Sequence, residues 1–305
     1  MDIYGCDYEH TLDISSFRQG LQLNYHATDR NELFAKVLEA REFDVCEFSL
    51  SNYIMMRDRG VDWLTAIPVF PSRGFRHSIL LVRKDDDHLT HPSDLIGKRI
   101  GIADYTMTGG VWGRGILAEF YRLHWSEVEW FSTGHQRFEA PPGVNLKVID
   151  GDLEVALADG RLDALLSPRT RDSARPWSDR KFRPILTDWK EAELNYFRST
   201  GIYPISHTVV IPLKKIDSHP LLPSAVMAAY GHSMGRAKER RIGSTFLPWA
   251  DSTWPDTMGI FASDPMPYGL NPGNEAVIGK LQEYLVEQKL IGRYHSCSDL
   301  FWQDS

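Results

Sequence analysis

A short basic segment carries the residues best suited to chemistry in this sequence. The segment Pro71–Ser78 contains Arg73, Arg76 and His77 within five positions. Arginine presents a planar fork of donors that matches a carboxylate, and histidine exchanges a proton near neutral pH. Apolar runs that predict strands lie on both sides. The pattern favours a loop that grips and protonates a small anionic substrate, and the alternative is a solvated basic turn.

Length and composition set the class of protein. The chain has 305 residues, of which 42% are hydrophobic and 25% charged, as in soluble globular proteins of about two domains. The net charge of −7 argues against a nucleic-acid partner, because such proteins usually present a basic face. A local basic pocket can still coexist with an acidic exterior, so an anionic small molecule remains open as a ligand.

The cysteines and the first residues bear on the compartment. Cys6, Cys46 and Cys297 form no CxxC pair, and three thiols cannot close a disulfide framework. Free thiols in a reducing cytosol are the simplest interpretation. Residues 1–7 lack the basic and apolar regions of a signal peptide, and no apolar run reaches the ~20 residues of a membrane helix. We therefore expect a cytoplasmic protein without a membrane partner.

Alternating strand and helix patterns predict the elements that position the basic segment. Residues 21–83 read as a βαβαβ series, which implies a mostly parallel sheet with flanking helices. A second α/β unit begins near Asp85, and the apolar run His207–Leu213 returns to the first. We expect two lobes, residues 1–84 plus 206–305 and residues 85–205. A ligand would lie in the cleft between them, beyond the carboxyl ends of the strands.

Several other segments follow predicted strands. Glu47 ends a strand and Ser49 opens a helix, where a carboxylate can bind ligand hydroxyls or both residues can simply cap the helix. The turn Tyr105–Gly110 offers Thr106 and Thr108 beside two glycines, and its backbone amides can approach an anion. The same turn matches no dinucleotide or Walker motif. Arg114 follows in the helix, pointing either to a ligand or to solvent.

Two histidines and one aspartate complete the candidates. His207 begins the returning strand and His10 follows the first short strand, so each is either a packed residue or a ligand contact. Asp264 lies in the rigid turn 263–269, where capping is the default role. The 11 histidines form no HExxH or HxH site and no GxSxG elbow is present, so we expect no cofactor, although a divalent metal stays open.

Taken together, these segments resemble the 4,5-dihydroxyphthalate decarboxylase family, whose members look like type II periplasmic-binding proteins in fold. The similarity runs from about residue 43 to 292, and its most specific motif is Pro-Ser-Arg…Phe-Arg-His at 71–77. The further matching segments are 43–51, 68–70, 94–101, 107–108, Trp112, 114–115, 201–210 and 264–269. The resemblance implies a two-lobed α/β fold of two mixed sheets with flanking helices and an interlobe cleft. It also implies non-oxidative decarboxylation of a hydroxylated aromatic acid.

The residues permit a mechanism for that reaction. Loss of carbon dioxide from an aromatic ring needs a proton on the carbon that bears the carboxylate, and electrons from a ring hydroxyl. We assign carboxylate binding to the basic segment and the turn at 105–110, specifically to Arg73, Arg76, Tyr105, Thr106 and Thr108. His77 or His207 would be the acid, and Glu47 would bind or deprotonate a ring hydroxyl.

Other functions remain open at this stage. A two-lobed protein with an anion cleft can equally serve as a non-catalytic binding protein, or as an isomerase or hydrolase of cyclic acids. Trp249 and Trp254 lie in a Trp/Pro-rich segment, 246–268, that is either an oligomer surface or part of a core.

Overall fold

The computed structural model describes residues 1–18, 20–242, 249–261 and 263–303. Part of the Trp/Pro-rich segment, residues 246–248 and 262, therefore lies outside the described residues. In chain order the strands are β1 (Asp2–Gly5), β2 (Asn24–Ala27), β3 (Val45–Ser49), β4 (Leu64–Ile67), β5 (Leu80–Arg83), β6 (Arg99–Ile102), β7 (Glu129–Ser132), β8 (Leu146–Val148), β9 (Ala164–Leu166), β10 (Phe182–Pro184) and β11 (His207–Pro212).

Helices follow most of the strands, as the alternating pattern predicts. In chain order they are α1 (Arg30–Leu38), α2 (Leu50–Asp58), α3 (Thr108–Tyr121), α4 (Leu153–Ala158), α5 (Trp189–Thr200), α6 (Leu213–Ser218), α7 (Leu222–Ile242), α8 (Ala250–Phe261), α9 (Pro272–Glu287) and α10 (Cys297–Leu300). No helix within the described ranges is long and apolar enough to cross a membrane.

The first sheet has the strand order β2-β1-β3-β11-β4. Strands β2, β1 and β3 run parallel, and β11 pairs antiparallel with both β3 and β4. Every residue of β3 and β11 is buried, as expected for central strands covered on both faces. The polar residues of these two strands, Glu47 and His207, are therefore held inside the protein.

The second sheet has the order β10-β5-β9-β6-β7-β8. Strands β9, β6, β7 and β8 are parallel, whereas β5 pairs antiparallel with β9 and β10. Helix α3 packs its apolar face into the core under this sheet, where Leu117 joins Ile100, Ile102 and Trp130. Both sheets are mixed and carry flanking helices, which confirms the α/β class.

Each sheet is the centre of one compact unit. The first unit comprises Met1–Arg73, Ile205–Glu275 and His295–Ser305, and the second comprises Gly74–Pro204 and Ala276–Tyr294. The expected boundary at residue 84 differs from this division because β5 belongs to the second sheet. The sequence-based expectation also placed all of residues 206–305 in the first unit. Residues 276–294 instead pack into the second, where the Gln288 side chain accepts a hydrogen bond from Arg114.

Candidate active site

Strand register in the first unit brings two predicted residues onto one face. Glu47 and Ser49 are two positions apart on β3, so their side chains point the same way. His207 on β11 lies directly opposite Ser49. A cross-strand partner shares the face of its opposite residue, so Glu47 and His207 are diagonal neighbours within reach of each other.

The Glu47 carboxylate is fully enclosed by donors. His207 Nδ1 lies 2.5 Å from Glu47 Oε1, and the Tyr8 hydroxyl donates to the same oxygen at 2.9 Å. The other oxygen, Oε2, accepts the backbone N–H of Cys6 at 2.8 Å. Glu47 has no exposed surface, whereas His207 retains 7% of its own. His207 is thus the member of this pair that can meet a ligand.

Hydrogen bonding decides the charge of this carboxyl group. Burial opposes ionisation of Glu47, but the bonds from His207, from the Cys6 N–H and from Tyr8 outweigh it and lower its pKa. Burial, reinforced by the Glu47 charge, raises the pKa of Tyr8, so its phenol keeps the proton that it donates. A carboxylate fixed in this way orients the His207 ring and stabilises positive charge on it, as in other carboxylate–histidine pairs.

The same edge of the sheet supplies further polar groups. Cys6 and Tyr8 follow β1 and Arg30 opens α1 after β2, so all three lie beyond the carboxyl ends of parallel strands. Arg30 lies close enough to Tyr8 and Cys6 for both side chains to affect its guanidinium. Burial opposes the guanidinium charge, yet these neighbours outweigh it and raise the pKa of Arg30. A permanent cation therefore lies next to the Tyr8–Glu47–His207 group.

Two other predicted residues adjoin this group. The His10 ring stacks on the Tyr8 ring, with centroids 5.0 Å apart and planes 7° from parallel, and its Nε2 lies 2.8 Å from the Pro71 carbonyl. Burial lowers the pKa of His10, so the ring is neutral and braces Tyr8. Ser49 is the N-cap residue of α2, and its hydroxyl lies 3.4 Å from that of Ser51.

Within the part of the chain that the structure describes, Cys6, Glu47 and His207 form a group that could hold a metal ion. One donor atom from each lies within 4.8 Å of the others. As arranged, however, the atoms hydrogen-bond to one another: a separation of 2.5 Å between Nδ1 and Oε1 is too short for two ligands of one ion at ~2.0–2.2 Å each. Burial and the Glu47 charge also raise the pKa of Cys6, which favours the thiol over the metal-binding thiolate.

The remaining predicted residues of the first unit have structural partners. Arg73 Nη2 donates to the Pro267 carbonyl at 3.0 Å and to Asn274 Oδ1 at 2.6 Å, so this arginine braces the turn before α9. Asp264 pairs with Lys238 at 2.6 Å and accepts the Met266 N–H at 3.0 Å, which is the default capping role. Their substrate-binding roles stay predictions, and these contacts favour a structural role for both.

In the second unit, Arg76 lies beside the first turn of α3. A Cβ atom added to Gly109 would come 3.8 Å from Arg76 Cζ, which places the guanidinium against the start of the helix. Thr108 is the first residue of that helix and Thr106 donates its hydroxyl to Asp104 at 2.9 Å. A helix start and a guanidinium both attract anions. This part of the second unit is therefore its best candidate for carboxylate binding.

The structure gives Arg114 and Tyr105 roles in the core. Arg114 is 1% exposed and stacks 3.8 Å from the centroid of the Tyr105 ring, while its Nη2 donates to the Tyr105 carbonyl. Tyr105 is completely buried and meets Trp130 edge to face. The expectation that these two side chains contact substrate finds no support here, because both are buried in the hydrophobic core of the second unit.

His77 is poorly suited to act as the acid. Its ring packs edge-on between Tyr121 and Tyr196, with centroid distances of 5.9 Å and 5.2 Å. Burial lowers the pKa of His77 to about 4, so the ring is neutral at physiological pH. Its Nδ1 has no hydrogen-bond partner among the described residues. Of the two histidines proposed from the sequence, the geometry favours His207.

Sequence reasoning missed three residues of this site. Tyr8, Cys6 and Arg30 lie in segments without a recognisable motif, and nothing in their spacing links them to Glu47. Only their position in the sequence could have pointed to them, since each residue follows one of the first two parallel strands. His10 was selected on that basis, and the same rule applied to its neighbours would have included Tyr8.

Comparison with solved structures defines the class of fold. The chain is similar to the periplasmic aliphatic sulphonate binding protein SsuA from Escherichia coli, with a TM-score of 0.62, 12% identity and coverage of 100% of this chain and 92% of that one. It is also similar to the desulfurization enzyme DSZB, with a TM-score of 0.53, 14% identity and coverage of 95% and 92%. The fold is therefore that of the periplasmic binding proteins.

Sequence comparison identifies the family. The chain is 30% identical over 258 residues to 4,5-dihydroxyphthalate decarboxylase of Comamonas testosteroni, which covers 79% of this chain and 77% of that protein. It is 35% identical over 187 residues to the enzyme of the same name from Pseudomonas putida, covering 56% and 72%. No protein-family model matches the sequence. The chain belongs to the 4,5-dihydroxyphthalate decarboxylase family.

Proposed function

We propose that this protein releases carbon dioxide, without oxidation, from a hydroxylated aromatic acid of the 4,5-dihydroxyphthalate type. The observation that carries the proposal is the buried Glu47–His207 pair, in a chain of the family named for that activity. The pair supplies an oriented proton carrier, which is what this reaction requires of a protein.

The chemistry balances with one proton transfer to carbon. A ring hydroxyl para to the departing carboxylate releases its proton to water, and the oxygen pushes electrons into the ring. The ring carbon bearing the carboxylate then accepts a proton, which gives a non-aromatic intermediate. The carbon–carbon bond breaks, its electrons restore the aromatic ring, and the oxygen regains a proton. The net reaction replaces one carboxylate by hydrogen and releases carbon dioxide.

His207 is the proposed proton donor to the ring carbon. Its Nδ1 is held by Glu47, so Nε2 is the ring nitrogen that can exchange a proton with a ligand. This revises the role first assigned to Glu47, since a carboxylate with no exposed surface and both oxygens hydrogen-bonded cannot bind a ring hydroxyl. Glu47 is better described as the residue that orients the His207 ring and stabilises the protonated form of that ring.

Carboxylate binding is proposed for Arg76 and the start of α3 in the second unit. A guanidinium matches a carboxylate with two parallel hydrogen bonds, and the helix start adds partial positive charge. Strong binding of the departing carboxylate would stabilise the ground state and slow the reaction. A substrate with two carboxylates avoids this cost, because the arginine can hold the group that stays.

A substrate survey tests the proposal. The purified protein is incubated with hydroxylated benzoates and phthalates while carbon dioxide release is followed, beside Glu47→Gln and the exposed matched variant Glu32→Gln. Release from at least one ortho- or para-hydroxylated acid, lost in the first variant and kept in the second, is the expected result. An acid that raises the melting temperature but is never consumed would instead support a binding protein, since the fold is shared with such proteins.

A further inference from the structure

The second unit carries a cavity of its own that no step of the mechanism uses. Its volume is about 210 Å³, below the usual ~300–1,000 Å³ of ligand pockets and suited to a single-ring ligand. It lies where β5, β9 and β10 meet the segment 167–180. Its lining consists of Ser78, Leu81, Ser167, Pro168, Arg169, Thr170, Asp172, Ser173, Trp177, Arg180, Phe182, Pro184 and Trp189.

The wall of this cavity is basic although the protein is acidic. The charged residues of the lining are Arg169, Arg180 and Asp172, in a chain of net charge −7. The Asp172 carboxylate accepts the backbone N–H groups of Lys181 and Phe182, so its negative charge is compensated within the loop. The cavity therefore presents a local positive potential that favours an anion.

Aromatic and guanidinium groups are paired at the mouth of the cavity. Trp177 is 57% exposed, which is unusual for a large aromatic side chain and leaves its ring available for stacking. The Arg180 guanidinium lies 5.2 Å from the Trp177 ring centroid. Its Nη2 and Nε donate to the carbonyls of Ser173 and Arg175, at 2.8 Å and 3.1 Å, so the guanidinium is fixed in place. Such a fixed group binds a carboxylate without a large loss of side-chain entropy.

The lining has few groups that could transfer a proton to a ligand. The described residues that line it include no histidine, cysteine, tyrosine, lysine or glutamate. Asp172 is 5% exposed and already accepts two backbone hydrogen bonds. The carboxyl group of Glu193, outside the lining, accepts a hydrogen bond from Ser78 at 3.2 Å, so we expect binding here without decarboxylation.

We propose that this cavity is a second, non-catalytic binding site for an aromatic carboxylate. Trp177 and Trp189 would contact the ring face, and Arg169 and Arg180 the carboxylate. The choice of an aromatic acid rather than another anion rests on the two tryptophans, and the link to substrate or product rests on the proposed function. Bound there, an acid of the reaction's own class would act as an effector.

Calorimetric titration with phthalate tests the site. Phthalate has two carboxylates but no ring hydroxyl to supply electrons, so its binding is read without turnover. The wild type is compared with Trp177→Leu and Arg169→Gln, and with matched variants of exposed residues elsewhere, Trp249→Leu and Arg161→Gln. We expect one binding phase to weaken at least tenfold in the first two variants and less than twofold in the controls. Cyclohexane-1,2-dicarboxylate, which lacks the aromatic face, should bind to the cavity with an affinity at least tenfold lower than that of phthalate.

Three results would overturn the proposal. The isotherms of all five proteins could be the same, or the saturated dicarboxylate could bind as tightly as phthalate. Alternatively, kcat for decarboxylation could fall in parallel with phthalate binding in both cavity variants, which would make the cavity part of the catalytic site. This test measures binding and does not depend on decarboxylation. If the variants show the expected binding pattern but the protein decarboxylates none of the acids, the proposed function is wrong and the proposed binding site is still supported.

Discussion

Tyr8 and His207 hydrogen-bond the same oxygen atom, Oε1 of Glu47, from sequence positions 199 residues apart. One donor is a phenol whose raised pKa keeps it protonated, and the other is a ring that can carry or release a proton. The shared oxygen couples the charge of Glu47 to both partners. Removing either donor should therefore change the pH at which the carboxylate ionises.

Tyr8→Phe should shift the pH–rate profile without abolishing activity. The Tyr8 hydroxyl is one of the bonds that lower the pKa of Glu47, so its loss raises that pKa. Since the reaction needs the ionised carboxylate, the acidic limb of kcat should move to higher pH, with kcat at neutral pH reduced about tenfold. Steady-state carbon dioxide release from pH 4 to 8 measures this. An acidic limb that stays in place would show that Tyr8 does not act on Glu47.

His77→Phe should preserve activity and improve stability in acid. The neutral ring between Tyr121 and Tyr196 has its pKa lowered from 6.5 to about 4 by burial. A base with a lowered pKa contributes stability that is complete above pH 6.5 and is lost as the pH falls toward 4. At pH 4 the loss amounts to roughly 3 kcal/mol for the wild type, and phenylalanine, which cannot be protonated, escapes it.

Urea unfolding of the wild type and His77→Phe at pH 7 and pH 4 measures whether the variant is the more stable protein in acid. The two proteins should be similar at pH 7, and the variant should be the more stable one at pH 4. A loss of carbon dioxide release in the folded variant, without a change in stability, would return His77 to the list of proton donors.

Arg76 and Arg73 should respond differently to the same substitution. Arg76 lies beside the start of α3, whereas Arg73 is bonded to Pro267 and Asn274. We expect Arg76→Gln to raise KM at least tenfold with little change in stability, because it removes a carboxylate contact. Arg73→Gln should lower the free energy of unfolding by about 1–3 kcal/mol with a smaller effect on KM. Kinetics and urea unfolding on both variants separate these outcomes, and equal KM values would contradict the assignment of Arg76.

Treatment with a chelator should leave the reaction rate unchanged. A metal ion bound by Cys6, Glu47 and His207 would have to break the 2.5 Å hydrogen bond and remove the proton of a thiol whose pKa is raised. The rate is measured before and after dialysis against EDTA, with carbon dioxide release as the readout. A rate that collapses and returns with Zn²⁺ or Mn²⁺ would replace the hydrogen-bonded network by a metal centre.

The sequence indicated the α/β class and the approximate positions of several strands because those depend on local patterns. The runs around Glu47 and His207 were predicted as strands. Strand β11 begins at His207 as expected, whereas β3 continues to Ser49 and places Glu47 in its middle rather than at its end. Their pairing was not predictable, since the register of β11 against β3 joins segments 160 residues apart and depends on the whole fold. The contact between the two residues therefore required the structure.

Side-chain direction on helices and loops was the weakest part of the prediction. Arg114 and Thr108 share α3, and periodicity alone could not tell that Arg114 turns into the core against Tyr105. Likewise, the basic segment 71–78 suggested two equivalent arginines, but Arg73 meets the turn before α9 and Arg76 the start of α3. Charge in a sequence locates a candidate site, and tertiary packing decides which charges remain for a ligand.

The most direct test of the account is the rate of carbon dioxide release from 4,5-dihydroxyphthalate by the wild type, His207→Asn and the matched variant His219→Asn, at a partly exposed histidine. Loss of the proposed general acid should lower kcat by about 10²–10⁴-fold in the first variant, while the second stays within twofold of the wild type. Circular dichroism confirms that both variants are folded. Release at the wild-type rate by folded His207→Asn would contradict the assignment of proton transfer to the Glu47–His207 pair.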